Sequence, residues 1–351
     1  MKLRLTILIL GTVVLSAKML SISAGTPEIA VAFQPTPIKL TIPNGWPNPT
    51  IDFFAGNPLT EQGFQLGRKL FYDGRLSKDG NFACASCHQQ YAAFSTSDHD
   101  LSHGFNDAFT TRNAPALFNL AWMKTFHWDG GINHIEVQAL SPLTAKNEMA
   151  ESIDSIIIKL KKDPVYKRMF KEAFGNSDVN SQKMLKALAQ FVGSLVSYNA
   201  KYDKVKRGES AFTTSEQRGY DFYKLKCAAC HAEPLFTDNS YRNNGLEVSQ
   251  YLKDQGRMHA TGDNNDSLKF KVPSLRNLNY TFPYMHDGRF YTLGQVIEHY
   301  RTKLITTQPT LDPLLKNRIA INAAEKNDLL NFLRTLNDTV FVNTNRYAQP
   351  K

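Results

Sequence analysis

Residues 81–90 read NFACASCHQQ, and residues 227–231 read CAACH. The four cysteines of the 351-residue chain, Cys84, Cys87, Cys227 and Cys230, all fall in these two phrases, and a histidine follows each pair at once. Two thiols at this spacing could close a disulfide or fill half of a zinc site. Neither use calls for a histidine at the very next position. In C-x-x-C-H the thiols form thioethers with the haem vinyl groups, and the adjacent imidazole reaches the iron from the same side. The motifs therefore predict two covalently bound haem c groups. Cys84 and Cys87 attach the first and His88 ligates it; Cys227, Cys230 and His231 do the same for the second.

The surroundings of the motifs repeat as well. LTEQGFQLGRKLFYD (59–73) precedes the first and TTSEQRGYDFYKLK (213–226) the second, each reading as an N-capped amphipathic helix that delivers the chain to its haem. Downstream, APALFNLAWMKTFHWDGG (114–131) matches VPSLRNLNYTFPYMHDGR (272–289) at an offset of 158. Between the halves, Ile153, Ile156, Ile157 and Leu160 follow helical spacing, as do Met184, Leu188, Val192 and Leu195, the latter with Ser181 as expected N-cap. Leu329, Phe332, Leu333 and Leu336 read as a closing helix. Strand-like alternation is scarce. The expected fold is mostly α, with two cytochrome c-like haem domains related by internal duplication.

The N-terminus reads differently from the rest. MKLR and the apolar run LTILILGTVVLSA precede the small residues SISAG, the pattern of a secretory signal, with an uncleaved membrane anchor as the lesser reading. Losing Lys2, Arg4 and Lys18 with the signal lowers the formal charge from +9 to +6. The remaining lysines are scattered rather than clustered, which argues for a solubilising surface and against a nucleic-acid partner. The expected organisation is a signal peptide at 1–25, an extended Pro-rich leader at 26–56, and two haem domains at 57–205 and 206–345. The expected location is the periplasm.

Function turns on the ligand opposite each histidine. An iron with both axial positions filled carries electrons, whereas an open one binds and activates oxygen species. In TLGQVIEHY (292–300) a short helix begins at Thr292 and places Tyr300 near its end. The position 158 residues earlier is Pro142, which cannot ligate. The halves are therefore expected to differ, one iron open and one closed. His299 and Met285 are rivals to Tyr300, although neighbours on a helix point about 100° apart, so His299 and Tyr300 cannot both reach the metal.

HGF (103–105), RNAPALFNLAW (112–122), FHWDGG (126–131), NEM (147–149) and LRNLNYTFPYMHDG (275–288) occur in an order that resembles the bacterial dihaem cytochrome c peroxidase and MauG family, over about residues 55 to 340. The resemblance implies that the first haem is peroxidatic, that the second feeds it electrons, and that a tryptophan and a calcium ion lie between them. It matches Trp128 to the bridging tryptophan, and Gln138 and Glu148 to the distal pocket. Asn113, Thr281 and Pro283 match the calcium site, the last two through backbone carbonyls. Peroxide heterolysis moves a proton from the inner oxygen to the outer one, and a carboxylate such as Glu148 can serve as base and then acid. Homodimers are common among such proteins, so one is an expectation here too.

Two positions separate the branches of the family. Tyr300 stands where the peroxidases carry a methionine, as in the MauG branch. His103, 15 residues after His88, stands near where peroxidases carry a histidine that caps the resting first haem. His99 is its neighbour and weaker rival. His127, His134 and His259 receive no role, and His286 is read as a structural partner of Asp287. The leading expectation is reduction of hydrogen peroxide to water with electrons from a small cytochrome c or similar donor. The alternatives are a MauG-like oxidase acting on a partner protein, and a pure electron-transfer cytochrome.

Overall fold

The computed structural model describes residues 33–97 and 99–351; the expected signal peptide lies outside them. Residues Pro35–Lys351 make one compact unit. Helices dominate, and the one described sheet is a two-stranded antiparallel pair, Tyr241–Arg242 with Phe270–Lys271. No helix among the described residues is long and apolar enough to cross a membrane.

Two helix pairs form the frame. Glu61–Phe71, capped by the Thr60 hydroxyl, packs on Ser181–Gly193. Thr214–Lys226, closed by a Thr213–Glu216 capping box, packs on Ala323–Arg334. Each crossing is close because a glycine sits at it. A Cβ on Gly67 would lie 1.9 Å from the Ala187 carbonyl oxygen, and one on Gly219 would lie 2.0 Å from that of Asp328. The helix expected from the 184–195 pattern is present, but Asn180 rather than Ser181 caps it, because the Asn180 side chain accepts from the Lys183 amide.

Two main aromatic-rich cores follow. One runs from Phe53 to Leu195 and includes Phe341 and Val342 from the end of the chain; the other runs from Tyr202 to Leu336. The backbone repeats itself at the offset seen in the sequence. Asn119 and Asn277, His127 and Met285, and Gly130 and Gly288 are three pairs 158 residues apart in which both members have positive φ. The bridges Phe126–Ile132 and Tyr284–Phe290 are a further pair at that spacing. Asn119 and Asn277 reach the same connecting segment: Asn119 bonds the Ser197 backbone, and the Asn277 amide donates to the Ser197 hydroxyl at 3.0 Å.

The described part of the leader, from residue 35 on, is packed against the rest of the molecule. Pro37 bridges to Thr60, Trp46 meets Trp122 edge-on at 5.2 Å, and the Trp122 indole donates to the Pro47 carbonyl at 2.7 Å. Phe53 is buried against Phe126 and His134, which gives His134 a packing place.

Candidate functional site

Each motif forms one tight turn. Cys84–Cys87 is a single helical turn and the His88 amide donates to the Cys84 carbonyl; the His231 amide does the same to Cys227. No disulfide joins the four cysteines, and burial raises their pKa values. His88 Nδ1 lies 2.9 Å from the Phe94 carbonyl oxygen, and His231 Nδ1 lies 3.0 Å from that of Pro273 and 3.3 Å from that of Phe236. A carbonyl can only accept, so Nδ1 carries the proton and Nε2 keeps its lone pair for a metal. Burial keeps both rings neutral, with the His88 pKa pulled down to about 4. Phe94 and Phe236, fully buried and both at positive φ, present those carbonyls. A bulky residue held in the left-handed region is strained, and its recurrence beside each motif histidine marks a constrained site.

These features fit haem. The thiols, the lone-pair Nε2 atoms and an apolar hollow are what covalent c-type attachment requires. A cavity of about 310 Å³ holds Cys227, Cys230, His231 and Tyr300 on its wall together with Pro115, Phe118, His127, Trp128 and Gln138 from the first half. The described residues contain no cluster of three or more His, Cys, Asp or Glu side chains able to hold a metal ion.

Tyr300 faces the second motif. Burial pushes its phenol up to about 12, the Asn244 amide works against this, and the nearby Cys227 and Cys230 thiols add to it. It sits in a wide turn, His299–Lys303, with π-type backbone bonding at the end of the Leu293–Glu298 helix. His299 is turned elsewhere, its Nε2 3.0 Å from the Asn244 carbonyl oxygen. Met285 lines the same cavity as Tyr300.

Glu148 sits beside the first motif, close enough to act electrostatically on Cys84 and Cys87. Burial raises its own pKa, and no charged neighbour opposes the shift. Pro142 lies in the short Leu140–Thr144 helix, and its carbonyl accepts from the Met149 amide at 3.1 Å. The Trp128 indole donates to the Asn113 carbonyl at 2.9 Å, and its own carbonyl accepts from the Lys271 amide at 2.7 Å, which ties it to both halves. Asn113, Thr281 and Pro283 all line the cavity. Among the described residues, no hydrogen bond is donated to Asn113 Oδ1 or to the Thr281 and Pro283 carbonyls.

The remaining histidines sort by environment. His103 pairs through Nδ1 with the exposed Asp107 carboxylate and packs 4.3 Å from Phe109 and 4.9 Å from His99. It does not line the cavity, although the backbone just beyond it is close to Glu148: a Cβ on Gly104 would lie 2.6 Å from the Glu148 Cα. His286 stacks on Phe270 at 3.6 Å, while Asp287 pairs with Arg289 instead, because the ring lies flat against the sheet rather than toward the carboxylate. His259 is exposed beside Asp254. His127 is the residue that sequence reasoning passed over: it lines the cavity with its Nε2 3.4 Å from Gln138 Nε2. Its place 158 residues before Met285 was the available signal.

Residues 61–211 match the family model described as di-haem cytochrome c peroxidase. The chain is 37% identical over 284 residues to the methylamine utilization protein MauG of Methylorubrum extorquens, covering 80% of this chain and 79% of the relative. It is 33% identical over 286 residues to the cytochrome c551 peroxidase of Nitrosomonas europaea, covering 78% of this chain and 79% of the relative. Among solved structures, a MauG-like protein associated with microbial copper homeostasis matches with a TM-score of 0.81 at 33% identity, over 89% of this chain and 99% of that one. With paired C-x-x-C-H turns, two metal-ready imidazoles and relatives of both branches across most of its length, the chain belongs to the dihaem cytochrome c peroxidase and MauG family.

Proposed function

We propose that this chain is a MauG-like dihaem oxidase, in which hydrogen peroxide supplies oxidising power and a side chain of a partner protein is what becomes oxidised. Tyr300 carries this reading: a buried phenol beside Cys227 and Cys230, in the same cavity as His231, would give the second iron an oxygen donor. A phenolate stabilises oxidised iron and lowers its potential, which suits storage of oxidising equivalents better than delivery of electrons. Haems held by Cys84, Cys87 and His88 and by Cys227, Cys230 and His231 would supply the redox chemistry toward peroxide.

The protein's own groups do the rest. Glu148 takes the proton from the inner peroxide oxygen and returns it to the outer one. Its burial, which favours the neutral acid, suits the return step. The Gln138 amide, held near His127, orients the bound oxidant or a water. Trp128 offers a polarisable ring between the halves. One H2O2 with two protons becomes two waters, and the two electrons come from the partner. One calcium ion would use Asn113 Oδ1 and the Thr281 and Pro283 carbonyls, neutral oxygens of the kind a hard cation takes with water. The matched backbone pairs support two domains, 57–205 and 206–345, that arose by duplication, and the leading apolar run supports export to the periplasm.

Reduction of peroxide with electrons from a small cytochrome c is the second reading, favoured by the likeness to the cytochrome c551 peroxidase. Steady-state turnover separates the two. Peroxide consumption sustained by a reduced small cytochrome alone selects the peroxidase. Oxidation of a co-expressed partner, seen as a mass change that requires peroxide and is lost in Trp128→Phe while peroxide binding persists, selects the oxidase. A Trp128→Phe variant that oxidises the partner normally removes the relay role of Trp128.

A further inference from the structure

Three side chains near the second motif could in principle meet an iron: Tyr300, Met285 and His299. One residue holds two of them and lines the cavity beside the third. The Asn244 carbonyl accepts from His299 Nε2 at 3.0 Å, and the Asn244 side-chain Nδ2 donates to Met285 Sδ at 3.5 Å. Asn244 lines the cavity and is fixed from both sides. Asn243 Oδ1 accepts from the Gly245 amide at 2.8 Å, and the Gly245 carbonyl accepts from Ile305 at 2.9 Å, just beyond the π-type turn that carries Tyr300.

We propose that Asn244 selects the ligand of the second haem, holding the Met285 sulfur and the His299 nitrogen in hydrogen bonds and so leaving Tyr300 as the donor that meets the iron. This rests on the reading of Tyr300 as that ligand. A thioether sulfur engaged by an N–H has its lone pair directed at the amide, and a His299 nitrogen engaged by the Asn244 carbonyl is turned from the metal, so both rivals of Tyr300 are occupied. The backbone adds its own evidence of design. Met285 sits at a φ of 75°, a conformation an unbranched residue adopts only when its surroundings impose it, and this brings the side chain to the cavity wall. Asn244 therefore stands between an oxygen donor and a sulfur donor, and the choice sets the potential of that haem.

The test uses the purified dihaem protein, with haem content and thermal unfolding measured alongside. In Asn244→Leu, a side chain of similar size with no donor, the expected result is loss of the phenolate-to-iron charge-transfer band, gain of a methionine-ligation signature in the ferric spectrum, and a rise in reduction potential confined to one haem. Asn244→Gln, which keeps an amide, should restore the phenolate spectrum at least in part. Asn244→Leu combined with Met285→Leu should lose the sulfur signature. An unchanged ferric spectrum and potential in Asn244→Leu, or in Asn244→Ala if the first variant fails to load haem, overturns the proposal. Tyr300→Phe, measured in parallel, keeps the two claims apart. If it alters the spectrum and Asn244→Leu does not, only the role of Asn244 falls; if Tyr300→Phe leaves the spectrum unchanged, the ligand assignment falls first.

Discussion

The two halves share a frame and differ where chemistry would be decided. Positions 158 residues apart hold Pro142 and Tyr300, His127 and Met285, Trp128 and His286, Phe118 and Arg276. At each pair the backbone role can be kept while the side chain's chemistry changes. His127 and Met285 share a left-handed backbone, yet one meets Gln138 and the other Asn244. Trp128 hydrogen-bonds through its indole, whereas His286 stacks on Phe270. The lesson is that glycines, turn residues and strained carbonyls preserve the frame, and a handful of cavity-facing positions supply the asymmetry.

The largest effect should come from the attachment points. Cys84→Ala with His88→Ala is expected to leave one haem per chain and no peroxide consumption. Cys227→Ala with His231→Ala should also leave one haem, but the remaining site should still bind peroxide. Iron content, haem-specific absorption and peroxide binding check this. Equal residual reactivity in both variants would erase the proposed division of labour.

Next comes Glu148. Replacing it with Gln should slow peroxide consumption by about 10²- to 10⁴-fold, the usual worth of a positioned acid–base group, with haem content unchanged. Its pKa is raised by burial, so the carboxylate that accepts the first proton is lost as pH falls through a value above the ordinary range of about 4.3. Activity should decline on that acidic limb in the wild type, and the limb should vanish in Glu148→Gln. Stability runs the other way. The neutral buried acid stabilises the fold fully below the ordinary glutamate pKa, and that contribution is lost as pH rises through the raised one. Denaturation across that window should therefore show less pH dependence in the variant.

The Phe118 and Arg276 pair offers a test by packing. Arg276 is fully buried and forms a two-pronged pair with Asp203 at 2.7 and 2.9 Å, with Trp46 of the leader 4.7 Å from its guanidinium. Asp203→Ala should destabilise by about 3–5 kcal/mol, because it strands a buried cation. Pairing that change with Arg276→Met should recover much of the loss. Chemical denaturation of the haem-loaded protein measures both.

How far the sequence was readable follows from what each signal depends on. The motif cysteines and histidines, the helix start at Thr292 and the 158-residue offset are local or periodic, so they could be read directly, whereas the cap of the 181–193 helix is Asn180 rather than the expected Ser181. Tyr300 could be named because it closes a helix whose start was visible at Thr292, although the wide turn that presents it could not be foreseen. Asn244 could not be found at all: it lies in a loop, and its meaning comes from contacts to residues 41 and 55 positions away. His127 was missed for a related reason, since its value depends on Gln138 across a turn. His286 was misassigned because Asp287 is its neighbour in sequence while Phe270 is its neighbour in space.

The smallest expected effect tests whether the halves are separable at all. Gly67→Ala and Gly219→Ala place matching methyl groups against the Ala187 and Asp328 carbonyls, one in each helix pair. Each should destabilise by about 1–3 kcal/mol, the usual penalty for overpacking a tight contact. Independent halves would give two thermal transitions, with each substitution lowering only its own. The connections predict otherwise. Phe341 and Val342 return from the end of the chain to the first core, and Asp338 accepts from Ser197, Tyr198 and Asn199 while its amide donates to Asn277. Breaking either crossing should therefore lower a single shared transition, and the double variant should show the sum within about 0.5 kcal/mol, since the two sites share no partner. Two resolved transitions would mean that the Ser197–Asp338 junction links the halves without making them fold as one.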